Sequence, residues 1–297
     1  MEPEAFLSKA DLIVTDGKVA TLDAAGTIAE AIAIKGERIL AVGRTEAITE
    51  FACSQTQQIN AAGRLVVPGL IDGHAHMDRE GLKEVLPSLA GCRSINEICE
   101  RIRHLTEETP PGEWIVTMPV GDPPFYQDVP ELLSEGRFPD RHDLDRVAPD
   151  HPVYIRAIWG HWRNTLPLVS IANTRALERA GITSATQSPS VNVHIEALSS
   201  GGQLTGRFFE WIYKPLVEKT LMACIPRFTL KQRITGLQRS MQVYNGYGTT
   251  SVFEGHGVAG EVLAAYQDLR AAGPLPVRAN LMFSPAWPNV DLSLIHI

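Results

Sequence analysis

Along the first fifth of the chain, apolar residues come in short runs broken by polar turns. Runs at residues 10–14, 18–22, 29–34 and 39–42 have strand length and strand composition. Asp16-Gly17 predicts a hairpin between the first two. Residues 35–38 predict a turn between the next two. Residues 45–51 predict a short helix with Thr45 as N-cap. Runs near 58–60 and 64–66 complete the set, which predicts a small β-sandwich domain over residues 1–66. The pattern then changes. The run Leu65-Val66-Val67 leads into Pro-Gly-Leu-Ile-Asp-Gly-His-Ala-His-Met-Asp, residues 68–78, and predicts a short buried strand ending at His74 and His76. Helical spacing follows at Ile95, Ile98, Ile102 and Leu105, and again over 173–180, where Gly181 supplies a stop. Residues 229–245 and 260–272 predict two more helices. Strands are expected at 153–159, at the glycine-led, β-branched stretch 246–254, and at 276–282. Residues 80–230 exceed a single β–α connection, so they carry structure of their own.

The chemistry concentrates at the histidine pair. In a strand, side chains two apart share a face with Cβ atoms roughly 7 Å apart, so two imidazoles can converge on one metal ion. Gly73 and Ala75 add no bulk beside them. Asp72 and Asp78 stand near enough to orient the ligands or to contact a substrate. The plain alternative is chance, since the chain has nine histidines. Glu254 and His256 stand at the end of the 246–254 strand and are candidate substrate contacts. So is His161, between Gly160 and Trp162, with a capped structural histidine as its alternative. Glu210, after Phe208-Phe209, reads as structural and His104 as a solvated helix residue.

Composition narrows the classes. The chain is 44% hydrophobic and 21% charged, enough for a large core, and its net charge of −7 without a basic patch argues against nucleic acid. The first fourteen residues carry acids where a leader would be basic, and no run approaches the roughly 20 apolar residues of a membrane span, so the cytoplasm is expected. The four cysteines form no metal-like spacing and read as reduced.

Residues 64–78 resemble the first barrel strand of the amidohydrolase superfamily. The chain from Ala10 to about Trp287 resembles the amidohydrolase-3 group, the YtcJ-like and N-substituted formamide deformylase-like hydrolases. Gly160-His161, Asn173, Ala176-Leu177, Ala180-Gly181-Ile182 and the 202–207 segment carry that likeness further, as does 246–254, which resembles the second barrel strand. The resemblance implies an α/β fold: a (β/α)8 metal-dependent hydrolase barrel from residue 67 to 297, with 80–230 inserted over its mouth and the 1–66 sandwich beside it. Only about three barrel strands are expected in these 297 residues. The resemblance therefore also implies a truncated chain, inactive by itself, whose bridging lysine and general-base aspartate lie beyond Ile297. It implies one or two divalent ions, zinc foremost, held in part by His74 and His76. It implies hydrolysis of a non-peptide C–N bond in a small-molecule substrate, in a superfamily where homo-oligomers are common. An ester, lactone or cyclic amide is the alternative substrate. A metal-free binding protein or an inactive fragment is the alternative role.

Overall fold

A computed structural model of the chain describes residues 8–123, 125–126, 128–157, 166–198, 202–213 and 215–283. The chain divides into two compact units, residues 1–70 and 71–297.

The first unit contains β1 (Leu12–Thr15), β2 (Lys18–Ala20), β3 (Ile28–Ala29), β4 (Ala31–Lys35), β5 (Arg38–Gly43), α1 (Thr45–Thr49), β6 (Gln57–Asn60) and β7 (Leu65–Val66). These strands form two sheets, ordered β5-β4-β1-β6 and β3-β2-β7. Ile13, Ala31, Ala33 and Ile48 make the small core beneath α1. The expected β4–β5 hairpin is present, and Gly36 supplies its left-handed turn residue (φ +56°). Asp16-Gly17 is not a hairpin turn. β1 pairs with β4 and β6, whereas β2 pairs with β3 and β7. The Gly17 N–H donates to the Glu30 carbonyl, and a Cβ at Gly17 would stand 3.1 Å from Ala61. The dipeptide therefore carries the chain from one sheet to the next. Thr45 is the first helical residue rather than the N-cap, and its Oγ1 accepts from the Asp16 N–H.

The second unit begins with β8 (Leu70–Asp72, its first residue in the preceding unit), α2 (Met77–Glu80) and a single 3-10 turn at Gly81–Glu84. Then come α3 (Ile95–Glu108), β9 (Ile115–Thr117), α4 (Arg141–Asp145), β10 (Val153–Ile155), β11 (Leu168–Ala172), α5 (Thr174–Ala180), β12 (Val193–Ala197), β13 (Leu204–Glu210) and α6 (Leu216–Lys219). The last elements are α7 (Leu230–Gly246), β14 (Thr249–Val258), α8 (Gly260–Ala272) and β15 (Arg278–Phe283).

Its larger sheet has the order β12-β13-β11-β10-β9. Both faces are covered, as the alternation of side chains requires. Val153, Ile155, Val169 and Ile171 join α3 and α4 in one core. Tyr154, Ala172 and Phe208 join α5 in another. Ser94 caps α3 by accepting from the Glu97 N–H, and Ile95, Ile98 and Ile102 bury the predicted stripe. Asn173 locks β10 to α5. Its Oδ1 accepts from Val153 and Ala176 N–H, and its Nδ2 donates to the Ala148 and His151 carbonyls.

The smaller sheet, β15-β14-β8, positions the candidate site. β14 and β15 run parallel. α7 starts with a capping box in which Thr229 and Gln232 satisfy each other's backbone N–H. Met77, Leu237, Met241, Val252, Val262 and Tyr266 form the core that unites α2, α7, β14 and α8.

Candidate metal centre

The strand entering the histidine pair is Leu70–Asp72, not the 65–67 run, of which Leu65 and Val66 pair with β2 instead. It also stops earlier than expected. The Asp72 carboxylate accepts from the His74 N–H at 3.0 Å, and this local bond turns the backbone out of the strand. The Ala75 N–H then donates to the Phe253 carbonyl of β14 at 2.9 Å. His76 is the N-cap residue of α2 (φ −126°, ψ 43°). Strand alternation therefore does not govern the two histidines, yet their rings still meet. Their centroids are 5.2 Å apart and their planes stand at 75°. His74 is exposed and His76 half-buried.

Two further carboxyl groups are buried below the pair. Asp78 is 7% exposed and Glu254 is fully buried. Glu254 Oε1 accepts from the Asp78 N–H and from the Tyr266 phenol, both at 2.9 Å. Burial, and then the charge of Asp78, push the Glu254 carboxyl well above the usual range. Burial pushes Tyr266 up as well, with Glu254 adding to it. On α7, burial raises the Tyr244 phenol to about 12, although a bond from the His76 backbone acts the other way. The Arg79 guanidinium lies 3.6 Å from Asp78 Oδ2.

Glu254, expected to contact substrate, is instead enclosed in the core and holds backbone. Asp78 is similarly withdrawn and lies two residues beyond His76. His256 belongs to β14, but its side chain lies outside the described residues, as does all of His161. Glu210 is fully buried on β13, where its Oε1 accepts from the Val217 N–H. A cavity of about 240 Å³ is lined by Trp114, Phe228 and Arg156 among others and, among the described residues, by none of the predicted site residues. The residues missed in the sequence are Tyr244 and Tyr266. Their periodic spacing marks them as core, but a buried phenol also needs a polar partner.

The donor chemistry can be tested against a metal. Two imidazoles bound to one tetrahedral ion at about 2.1 Å would place their ring centroids roughly 5 Å apart. The observed 5.2 Å matches that spacing. Among the described residues, no group of three or more His, Cys, Asp or Glu side chains is gathered to share an ion. The pair thus meets the ring spacing that two imidazole ligands of one ion require.

The sequence matches the Amidohydrolase family (Amidohydro_3) over residues 57–293, and the chain belongs to this family. It is 28% identical to the N-substituted formamide deformylase of Arthrobacter pascens, over 60% of this chain and 31% of that protein. It is 24% identical to the putative amidohydrolase YtcJ of Bacillus subtilis (strain 168), over 90% of this chain and 47% of that protein. An uncharacterised metal-dependent hydrolase from Pyrococcus furiosus shares the fold with a TM-score of 0.62 and 22% identity, over 92% of this chain and 50% of that one. The chain thus spans about half or less of the length of these relatives. Among the described residues, no helix is long and apolar enough to cross a membrane.

Proposed function

We propose that this chain supplies the first ligand pair of a metal-dependent hydrolase acting on non-peptide C–N bonds of small molecules. The observation that carries this reading is the edge-to-face pairing of His74 and His76 past the end of β8. Catalytic side chains gather at strand ends in barrel enzymes. The order β15-β14-β8, with α7 before β14 and α8 between β14 and β15, supports reading these strands as the start of such a barrel. In that reading residues 1–66 form the accessory sandwich. Residues 80–230, with their own sheet and cores, are the insertion over the barrel mouth.

His74 and His76 would hold the ion, with zinc favoured by two neutral nitrogen donors. When bound, such an ion polarises the scissile carbonyl and makes water more acidic. The residues of this chain hold the pair in place. Asp72 fixes the turn before His74, and β14 fastens Ala75 and Asp78 on either side of His76. An amide-like substrate is favoured by the N-substituted formamide deformylase among the relatives. The activity proposed is that of an enzyme of the relatives' full length.

The test uses an enzyme of that length carrying these residues. Release of amine from an N-substituted formamide is compared with release of alcohol from the matching formate ester. We expect amine release that a chelator abolishes, zinc restores, and His76→Ala lowers by at least 100-fold. Chelator-resistant turnover, or turnover of the ester alone, would overturn the reading.

A further inference from the structure

Two residues of β14 hold the histidine segment and a third lies next to it. The Phe253 carbonyl accepts from the Ala75 N–H. Glu254 Oε1 accepts from the Asp78 N–H. Gly255 stands beside His74: a Cβ there would lie in ordinary contact with His74 Nδ1, at 3.4 Å, and 3.0 Å from the Phe253 ring.

The middle contact has a specific consequence. Asp78 is the second residue of α2, so its N–H has no partner within the helix. An N-cap side chain ordinarily accepts from this position. The residue in the N-cap place is His76, and its side chain makes no capping hydrogen bond. Glu254, 176 residues away in the chain, takes that role with Oε1. The phenol of Tyr266, on α8, donates to the same oxygen and fixes its direction. A carboxyl group this deeply buried is unfavourable unless it is hydrogen-bonded, and here both of these donors converge on one atom.

We propose that Glu254, aimed by Tyr266, is a positioning residue for the metal centre. It caps α2 from β14, so the imidazole of His76 is not drawn into capping and keeps its orientation toward the ion shared with His74. This inference rests on the reading that His74 and His76 hold that ion.

Cobalt(II) binding to the 297-residue chain tests it without relying on turnover. Affinity is read by competition with a chromophoric chelator, and ligand geometry from the visible absorption bands of the bound ion. Folding of each variant is checked by circular dichroism. Glu254→Ala should weaken binding by about 10- to 100-fold and change the bands, as loss of a ligand-orienting partner does. Glu254→Gln offers an amide oxygen to the same two donors and should stay within about threefold of wild type. Tyr266→Phe should fall between them, and it keeps the test decisive if Glu254→Ala does not fold.

Wild-type affinity and bands in folded Tyr266→Phe or Glu254→Ala would overturn the proposal. So would a Glu254→Gln variant as weak as a histidine variant, which would make Glu254 a ligand. His76→Ala separates the two levels of the argument. If it binds cobalt like wild type, the metal-centre reading fails. If it alone loses cobalt, only the positioning role fails.

Discussion

Replacing Gly81 by Ala would test how the segment after the histidines is seated. Gly81 follows α2 with φ −72°, a conformation open to any residue, so backbone strain is not at issue. Space is. A Cβ at Gly81 would lie 1.9 Å from the Gly236 carbonyl oxygen and 2.7 Å from its carbon, where ordinary contact begins at 3.4 Å. Both atoms are backbone of α7, so no side chain can rotate away. The two backbones would have to part by about 1.5 Å. That movement would break the buried 2.7 Å bond from the Gly81 N–H to Ser240 Oγ.

Overpacking costs about 1–3 kcal/mol and an orphaned buried donor about 1–3 kcal/mol more. Stiffening the unfolded chain returns only about 0.4–1 kcal/mol. The net prediction is a loss of about 1–5 kcal/mol, read from urea unfolding followed by circular dichroism. Gly73→Ala is the control, because nothing lies within 4 Å of a Cβ there, and it should stay within about 0.5 kcal/mol. A Gly81→Ala chain as stable as wild type would refute the close packing of α2 and the 3-10 turn against α7.

Two further outcomes are expected. Asn173→Ala removes a fully buried side chain with four hydrogen bonds and should cost about 3–5 kcal/mol in urea unfolding, with Asn173→Asp intermediate. Burial holds the Glu210 carboxyl up at about 8, against 4.5 for an ordinary glutamate, and the Val217 N–H only partly offsets this. The folded chain then keeps a proton that the unfolded chain releases, so this residue should lower stability as pH rises from about 4.5 to 8. Glu210→Gln should flatten that part of the unfolding profile by up to a few kcal/mol, and an unchanged slope would contradict the assignment.

The elements legible in the sequence were those set by local chemistry. The α3 stripe, its Ser94 cap, the Gly181 stop and the turn at Gly36 all depend on residues within a few positions of one another. The histidine pair was legible because its spacing is local too. What was not legible depends on distant partners. Asp16-Gly17 has hairpin chemistry, but contacts with Glu30 and Ala61 decide where it leads. Leu65-Val66 and Leu70-Ile71 are both short apolar pairs, and only pairing with β2 or β14 separates them. Glu254 reads from the sequence as a candidate substrate contact at a strand end. Its hydrogen-bond partner lies at a helix terminus 176 residues away, which no local pattern records.

The most direct measurement is the zinc content of the 297-residue chain after dialysis against buffered metal. Bound zinc that falls away in both His74→Ala and His76→Ala, while both variants keep the wild-type circular dichroism, is the predicted result. Zinc retained in the double variant, or none bound by a folded wild-type chain at any free zinc up to millimolar, would contradict a metal centre at this pair.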